Sequence, residues 1–261
     1  NKPIVVLSNN DGCIIARSNE AKELGIKMGV PVFQVRDIID NNNVYVFSTN
    51  FALYGDMSSR VMSLLTDMAP ETEIYSIDEA FMNFSGVKES VRLASKMKSI
   101  IAKSTGIPIS IGIAGTKTLA KVANYFAKKQ TDKGVYALTD QQQIMRALKE
   151  LPVSKLWGVG SRHSRMLHSY GITTAYEFVQ LNEEWVLDKM TIMGLRMQQE
   201  LKGDSRFALD VYPARKKNIR TSRSFGIKVK SLQTIQESII AHAARCAEKL
   251  RMENSCARYV S

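Results

Sequence analysis

Two adjacent carboxylates, Asp78 and Glu79, are the residues of this sequence best suited to chemistry. They interrupt a segment rich in aromatic and β-branched residues, in which residues 73–77 and 80–84 have the character of buried strands. A buried carboxylate is costly unless it is paired or bound to a metal, so two in succession indicate a bound cation. Neighbouring side chains of a straight strand point to opposite faces, so both acids can serve one site only at a turn, such as a hairpin tip. The alternative is an ordinary turn whose acids face water.

A helix predicted over residues 118–129 is the second candidate. Lys117, Lys121 and Lys128 are spaced to lie on one face of it, opposite an apolar face. Such a face can supply counter-charge to a triphosphate, or it can be an ordinary solvated face. The apolar residues are Leu119, Val122, Ala123 and Phe126.

Two further segments are suited to holding phosphate groups. Residues 156–160 read Leu-Trp-Gly-Val-Gly and precede Arg162 and Arg165, and glycines at such a tip let backbone N–H groups approach a phosphate. Residues 193–195 (Met-Gly-Leu) are a weaker second copy, and a tight interhelical turn without a ligand is the alternative in both places. Residues 211–236 hold seven basic side chains and no acidic one, which is typical of a phosphate-binding surface or of a solvated linker. The seven are Arg215, Lys216, Lys217, Arg220, Arg223, Lys228 and Lys230.

The composition favours an anionic partner. The 261 residues carry a formal net charge of +11, of which residues 1–153 contribute +3 and residues 154–261 contribute +8. No apolar run approaches the roughly 18 residues that a membrane span needs. Three cysteines without a C-x-x-C pair predict neither structural zinc nor a disulfide framework, and they fit a reducing cytoplasm.

The order of the elements indicates an α+β fold, with an antiparallel or mixed sheet and helices on one face. Short strands, turns and one small helix are expected up to residue 48, and a helix is expected over residues 51–68 before the strand–acid–strand hairpin. Short helices joined by glycine turns are expected over residues 153–209. The other predictions are helices over 89–104, 118–129, 141–151 and 235–252, and strands over 108–114, 134–138, 221–226 and 256–261.

Four segments, taken together and in order, resemble the UmuC branch of the Y-family (translesion) DNA polymerases. Any one of them alone would be suggestive only, whereas four in register are specific. They are residues 7–13 with 19–22 (Leu-Ser-Asn-Asn-Asp-Gly-Cys and Asn-Glu-Ala-Lys), 76–80 (Ser-Ile-Asp-Glu-Ala), 116–124 (Thr-Lys-Thr-Leu-Ala-Lys-Val-Ala-Asn) and 157–160 (Trp-Gly-Val-Gly).

The resemblance implies a ferredoxin-like palm with small fingers, a helical thumb containing a helix–hairpin–helix, and a partial α/β little finger. The expected domains are fingers over 1–49, palm over 50–152, thumb over 153–212, and a basic linker with part of the little finger over 213–261. The first palm strand is expected to lie before Asn1, and the little finger is expected to continue past Ser261.

The resemblance also implies two-metal nucleotidyl transfer, with two Mg²⁺ ions held by Asp78 and Glu79. A third carboxylate and the aromatic residue that excludes ribonucleotides would come from the first palm strand, so this chain by itself is expected to be nearly inactive. Lys128 aligns with the family's triphosphate-binding lysine. Lys22 stands where relatives usually carry arginine, and Asn19 where many carry tyrosine.

For DNA, the resemblance implies contacts from the thumb and from the basic segment. Gly158, Val159, Gly160 and Arg162 would grip the duplex without reading its sequence. The basic residues expected along the template backbone are Arg220, Arg223 and Lys228.

The implied function is error-prone synthesis across damaged DNA, because a fingers segment of about fifty residues encloses the new base pair loosely. Primer-template DNA and dNTP are the expected partners, and the resemblance adds a processed UmuD dimer, RecA and the sliding clamp. It also implies that the protein is induced by DNA damage. The expected location is the bacterial cytoplasm, at the nucleoid. One alternative is a non-catalytic module that binds DNA or a partner. A nucleotide cyclase, which uses a similar palm, is another, although the duplex-binding segments argue against it.

Overall fold

The computed structural model describes residues 2–69, 71–129, 134–212, 216–223 and 225–260. The chain divides into two compact units. One comprises Leu53–Pro213, and the other comprises Asn1–Ala52 together with Ala214–Ser261. In the described residues the strands are β1 (Ile4–Leu7), β2 (Ile14–Arg17), β3 (Tyr45–Ser48), β4 (Thr72–Ile74), β5 (Ala80–Met82), β6 (Ile111–Ala114) and β7 (Val135–Leu138). The α-helices there are α1 (Asn19–Glu23), α2 (Arg36–Asn41), α3 (Phe51–Met68), α4 (Ser90–Thr105), α5 (Lys117–Lys129), α6 (Gln141–Glu150), α7 (Ser161–Ser169), α8 (Ala175–Val179), α9 (Glu183–Lys202) and α10 (Leu232–Met252).

Residues 2–52 form a small three-stranded sheet with β1 in the middle. β2 pairs with β1 antiparallel and β3 pairs with it parallel. Val5, Leu7 and Ile14 are buried in its core. The Ser18 hydroxyl caps α1 by accepting a hydrogen bond from the Ala21 N–H, as expected at a helix N-terminus. The predicted strands and the predicted helix α1 are confirmed, whereas α2 is a second short helix that the sequence analysis did not predict.

The first half of Leu53–Pro213 is built on α3, α4 and two pairs of strands. β4 and β5 form an antiparallel hairpin in which Ile74 faces Ala80, whereas β6 and β7 are parallel and are joined through α5. The apolar stripes of α3 and α4 share a core with both strand pairs. Gly112 of β6 lies directly under α5, where an added Cβ would come closer than 3.0 Å to the helix backbone. A glycine is therefore required for α5 to approach the strand.

The second half of this unit is helical, and its hydrophobic core is continuous with that of α5 and α6. One core cluster runs from Leu119 of α5 to Leu201 of α9. Val153 donates from its N–H to the Thr173 carbonyl oxygen at 2.8 Å, which joins the segment after α6 to the segment before α8. The helices after residue 153 therefore pack on α5 and α6 in one shared core.

In the described part of residues 216–260, α10 is the only regular element. It begins after Ser231, whose hydroxyl accepts from the Thr234 N–H. The strands predicted over 221–226 and 256–261 are wrong for the described residues there, since these have no strand pairing. An alternating sequence becomes a strand only where a neighbouring strand takes up its hydrogen bonds.

Among the described residues, no helix combines the length and the apolar character that crossing a lipid bilayer requires.

Candidate active site at the β4–β5 hairpin

The two acids lie at a hairpin tip, as predicted. Residues 75–79 connect β4 to β5, and the N–H groups of Tyr75 and Ser76 both donate to the Glu79 carbonyl oxygen at 3.0 Å. The Ser76 hydroxyl donates to Asp78 Oδ1 at 2.7 Å and accepts from the Asp78 N–H at 3.3 Å. The turn is thus closed by its own polar groups, and it presents two successive carboxylates.

The environment of the acids differs from the expected buried pair. Asp78 is exposed, and the side chain of Glu79 is 34% exposed. Glu79 Oε1 accepts from Lys121 Nζ at 2.6 Å, so the cationic group beside Glu79 in the structure is a lysine side chain. A tip that projects beyond its three-residue strands keeps water on one side, which explains why Asp78 needs no buried partner.

Lys121 is held by an aromatic cluster. Its ammonium group lies 5.2 Å from the ring centroid of Tyr75 and 5.6 Å from those of Phe81 and Trp157. The three rings also pack on one another at 5.5 to 5.8 Å. Because the face of an aromatic ring attracts a cation, the cluster fixes the lysine beside Glu79.

Lys117 and Glu73 form a second ion pair that the sequence analysis missed. Both side chains are about nine-tenths buried, at 11% and 10% exposure. Lys117 Nζ also donates to the Ala208 carbonyl oxygen at 2.7 Å, and the Asp210 N–H donates to Glu73 Oε2 at 2.9 Å. An acid inside a short apolar strand, two residues before Tyr75, was the available signal.

Lys128 is placed apart from the first two lysines. It is exposed and lies seven residues after Lys121, about 10 Å farther along α5 at 1.5 Å per residue. The structure therefore brings Lys117 and Lys121 to the hairpin and leaves Lys128 facing solvent. The predicted apolar face of the same helix is buried.

Asn19 and Lys22 belong to the other unit and contact each other. Lys22 Nζ donates to Asn19 Oδ1 at 2.9 Å, and both residues lie exposed on α1. A lysine with an exposed ammonium group remains accessible to an anion.

The predicted glycine turn precedes α7. Gly158 has φ 91°, which only glycine adopts readily, and Gly160 is the residue before α7, with no side-chain cap. Arg162 is exposed on α7, whereas the Val159 side chain is 8% exposed and packs in the core. Only the backbone of Val159 is thus available for a phosphate contact.

The segment around Gly194 has a structural explanation. Gly194 lies within α9, three residues after a kink at Thr191 (φ 65°), and an added Cβ would come closer than 3.0 Å to the Met190 side chain. The glycine is needed for packing against the preceding turn of helix.

The basic segment after residue 215 is solvent-facing. Arg220, Arg223 and Lys228 are exposed. Lys216 pairs with Glu253, and Lys249 donates to the Arg220 carbonyl oxygen at 3.2 Å. Arg215, also counted in this segment, lies outside the described residues.

For a metal ion, the hairpin offers two hard oxygen donors, Asp78 and Glu79, which suit Mg²⁺ chemically. The described ranges contain no group of three or more His, Cys, Asp or Glu side chains placed to hold a metal. The acids present therefore fit a partial ligand set.

Comparison with known proteins agrees with the motifs. A profile of the impB/mucB/samB family matches residues 1–125, and a profile of that family's C-terminal domain matches residues 216–261. The chain is 42% identical over 267 residues to protein UmuC of Salmonella typhimurium, covering all of this chain and 63% of that protein.

Solved structures show the same fold. A Y-family DNA polymerase chimera of Dbh and Dpo4 superposes with a TM-score of 0.75 at 21% identity, covering 95% of this chain and 73% of the chimera. An insertion ternary complex of Dbh DNA polymerase gives a TM-score of 0.65 at 25% identity, covering 79% of this chain and 64% of that one. The α+β polymerase fold inferred from the sequence is confirmed. The chain belongs to the impB/mucB/samB family and is a homologue of protein UmuC.

Proposed function

We propose that the intact protein is an error-prone translesion DNA polymerase, which transfers a nucleotide from dNTP to a primer 3′-hydroxyl on damaged templates. The observation that carries this proposal is the acidic hairpin tip, Asp78 and Glu79, held beside Lys121 in a chain of this family. The related Dbh structure is an insertion ternary complex of a DNA polymerase, which supports the same activity.

Each part of the hairpin region has a role in this proposal. Asp78 and Glu79 would hold divalent cations, with two Mg²⁺ ions as the expected complement, and Lys121 would keep Glu79 oriented. Bound ions would stabilise the negative charge that develops during phosphoryl transfer. Lys128, Lys22 and Asn19 would bind the triphosphate, and Lys22, a point charge without a guanidinium fork, would do so with little directionality.

The DNA contacts are assigned to two exposed surfaces. The N–H groups of Gly158, Val159 and Gly160, with Arg162, would hold duplex phosphates without reading sequence. Arg220, Arg223 and Lys228 would follow the template backbone, and their exposure supports this.

We propose the domains and partners of the intact protein by analogy with the family. We assign residues 1–49 to fingers, 50–152 to palm, 153–212 to thumb, and 213–261 to a basic linker with part of a little finger. A processed UmuD dimer, RecA and the sliding clamp are the proposed protein partners, at the bacterial nucleoid in the cytoplasm.

Primer extension tests the activity. The intact protein, given dNTP and Mg²⁺, should extend a primer on an undamaged template and past an abasic site. Asp78→Ala should lower extension about 100-fold or more, because a lost ligand removes at least 3 kcal/mol or so of charge stabilisation. Asp67→Ala, which removes an exposed aspartate of α3, is the matched control and should leave the rate unchanged. Extension by Asp78→Ala at the wild-type rate would refute the assignment.

The finer proposal concerns the 261-residue chain by itself. Two carboxylates hold divalent cations less firmly than the family's three, so we expect this chain alone to extend primers far more slowly than the intact protein at equal Mg²⁺. Equal rates would show that the acids of the hairpin suffice.

A DNA-binding module without catalysis is the second candidate, favoured by the exposed basic segment after residue 215. Charge reversal at Arg220 and Arg223 should lower DNA affinity and reduce the log–log salt slope by roughly 1.8, at about 0.9 per phosphate contact. Reversal of two exposed lysines of α4, Lys96 and Lys103, is the control. DNA binding without extension by the intact wild-type protein would favour this candidate over the polymerase.

A further inference from the structure

A fully buried carboxylate lies away from the hairpin tip and has no role in the chemistry above. Glu200, in the last turn of α9, is 0% exposed. None of the ion pairs among the described residues includes it. A buried carboxylate without a cation is costly unless several donors satisfy its oxygens, so its partners indicate what the residue holds in place.

The partners of the Glu200 carboxylate are three backbone N–H groups, one at the start of α5 and two in the segment that follows α9. Oε2 accepts from the Thr118 N–H at 2.8 Å, in the first turn of α5. Oε1 accepts from the N–H groups of Arg206 at 2.7 Å and Phe207 at 3.0 Å. One carboxylate therefore caps the N-terminus of α5, where negative charge is favoured, and also holds the segment after α9.

The same two segments are joined a second time at the hairpin. Residues 206–210, which we name the strap, have no helix or strand. The Ala208 carbonyl oxygen accepts from Lys117, and the Asp210 N–H donates to Glu73 of β4. The Phe207 ring packs 5.6 Å from Trp157, a member of the aromatic cluster around Lys121. The strap thus runs from Glu200 to the strand that leads into the acidic tip.

A third contact holds Glu200 itself. The Thr116 hydroxyl donates to the Glu200 carbonyl oxygen at 2.9 Å and accepts from the Leu119 N–H at 3.2 Å. The end of α9 and the start of α5 therefore interlock through both side chains. Because α5 carries Lys117 and Lys121, a shift of its first turn would move both lysines relative to Glu73 and Glu79.

We propose that Glu200 is a positioning residue, whose carboxylate fixes the strap and the first turn of α5 and thereby holds the β4–β5 hairpin in its active geometry. The inference deepens the proposed polymerase function and rests on it for its effect on catalysis. Its effect on the hairpin is measurable without catalysis.

The chain offers a matched control on the same helix. Gln198 is also 0% exposed, and its side-chain amide donates to the carbonyl oxygens of Phe178, Val179 and Leu181. Glu200→Met and Gln198→Met replace two buried polar side chains of similar size with the same apolar one. A purely structural loss should be similar in both, whereas only Glu200→Met removes the contacts to α5 and the strap.

Hydrogen–deuterium exchange of the intact protein is the first measurement. Glu200→Met should raise exchange about tenfold or more over residues 118–121, 206–210 and 73–82, because buried hydrogen bonds to a charged group are lost. Gln198→Met should raise it over residues 178–182 and leave the other three segments unchanged. Unchanged exchange over 73–82 in Glu200→Met, or equal loosening there in Gln198→Met, would overturn the proposal.

Steady-state primer extension at a temperature where both variants are folded is the second measurement. Glu200→Met should lower kcat about tenfold while the Kd for primer-template DNA stays within about twofold. Gln198→Met should leave kcat unchanged. A folded Glu200→Met variant with the wild-type kcat would overturn the inference about Glu200 but not the polymerase proposal. If the wild-type protein extends no primer, the polymerase proposal fails, and the exchange result still decides whether Glu200 positions the hairpin.

Glu200→Gln serves if the methionine variant does not fold. Its amide oxygen can still accept the two strap N–H groups, but its NH₂ group would face the Thr118 N–H. Protection of residues 206–210 should therefore persist while residues 118–121 loosen, and loosening of neither segment would contradict the role given to the carboxylate.

Discussion

Replacing Lys121 with methionine removes the cation that the structure places between Glu79 and the aromatic cluster. The ammonium group donates to Glu79 at 2.6 Å and lies 5.2 to 5.6 Å from three ring centroids, with 17% of the side chain exposed. A cation over aromatic rings in a partly desolvated site contributes about 1 kcal/mol. An ion pair with a partner that is one-third exposed adds up to about 1 kcal/mol. Since methionine keeps most of the apolar packing, we expect the free energy of unfolding to fall by about 2 kcal/mol.

Thermal unfolding by circular dichroism measures this loss. For a protein of this size, about 2 kcal/mol corresponds to a Tm lower by about 4–8 °C. Lys128→Met is the matched control on the same helix, and because Lys128 is exposed its Tm should stay within about 1 °C of the wild type. A double-mutant cycle with Glu79→Gln should give a coupling energy of about 1 kcal/mol for the pair.

The two lysine variants should also differ in catalysis. Lys121→Met disturbs the orientation of Glu79 and should lower kcat, whereas Lys128→Met should raise KM for dNTP and leave kcat nearly unchanged. The reasoning is refuted if Lys121→Met has the same Tm as the wild type and its coupling energy with Glu79→Gln is less than about 0.3 kcal/mol. In that case Lys121 would be a solvated lysine whose neighbours do not hold it.

Two further predictions concern stability. Gly112→Ala should lower the free energy of unfolding by about 1–3 kcal/mol in urea titrations, because the added Cβ would meet the α5 backbone at Asn124, whereas Gly115→Ala, at an open position, should change it little. For pH, the N–H groups of Thr173 and then Thr174 hold the pKa of Glu177 at about 2, below its usual 4.5. Its stabilising effect is therefore complete above pH 4.5 and is lost as the pH falls towards 2. The Tm difference between wild type and Glu177→Gln should shrink over that window, and a constant difference would count against a stabilising role for the hydrogen bonds from Thr173 and Thr174 to Glu177.

Elements with local signals were predictable from the sequence. α3 and α5 follow from apolar residues at helical spacing, and both begin within one residue of the prediction. The hairpin around Asp78 follows from two apolar runs separated by acids. The strand predicted over 221–226 failed because alternation alone does not supply a neighbouring strand.

The supporting residues of the site were not predictable, because their partners are distant in sequence. Glu73 is 44 residues from Lys117 and 137 from Asp210, and Glu200 is 82 residues from Thr118. Glu73 stands out only as an acid inside a short apolar strand, and Glu200 has no such signal, so only the fold reveals that both acids bind the strap. The proposed border between palm and thumb at residue 153 is a similar case. The sequence has a turn signal at Pro152, but in the structure one hydrophobic core includes residues on both sides of this position.

Three of the four lysines of α5, Lys117, Lys121 and Lys128, show that residues of one regular pattern can have different roles. In sequence they form one basic face, and a shared role as counter-charge to triphosphate is the simplest interpretation. In the structure Lys117 and Lys121 each pair with one carboxylate of the hairpin, so the positive charge of each lysine is offset by its partner. The positive charge of this face that remains for an anion therefore comes mainly from Lys128, beyond the paired part of the helix. Lys117 and Lys121 instead join α5 to β4 and to the acidic tip through their ion pairs. The geometry of the acids therefore depends on the position of the helix.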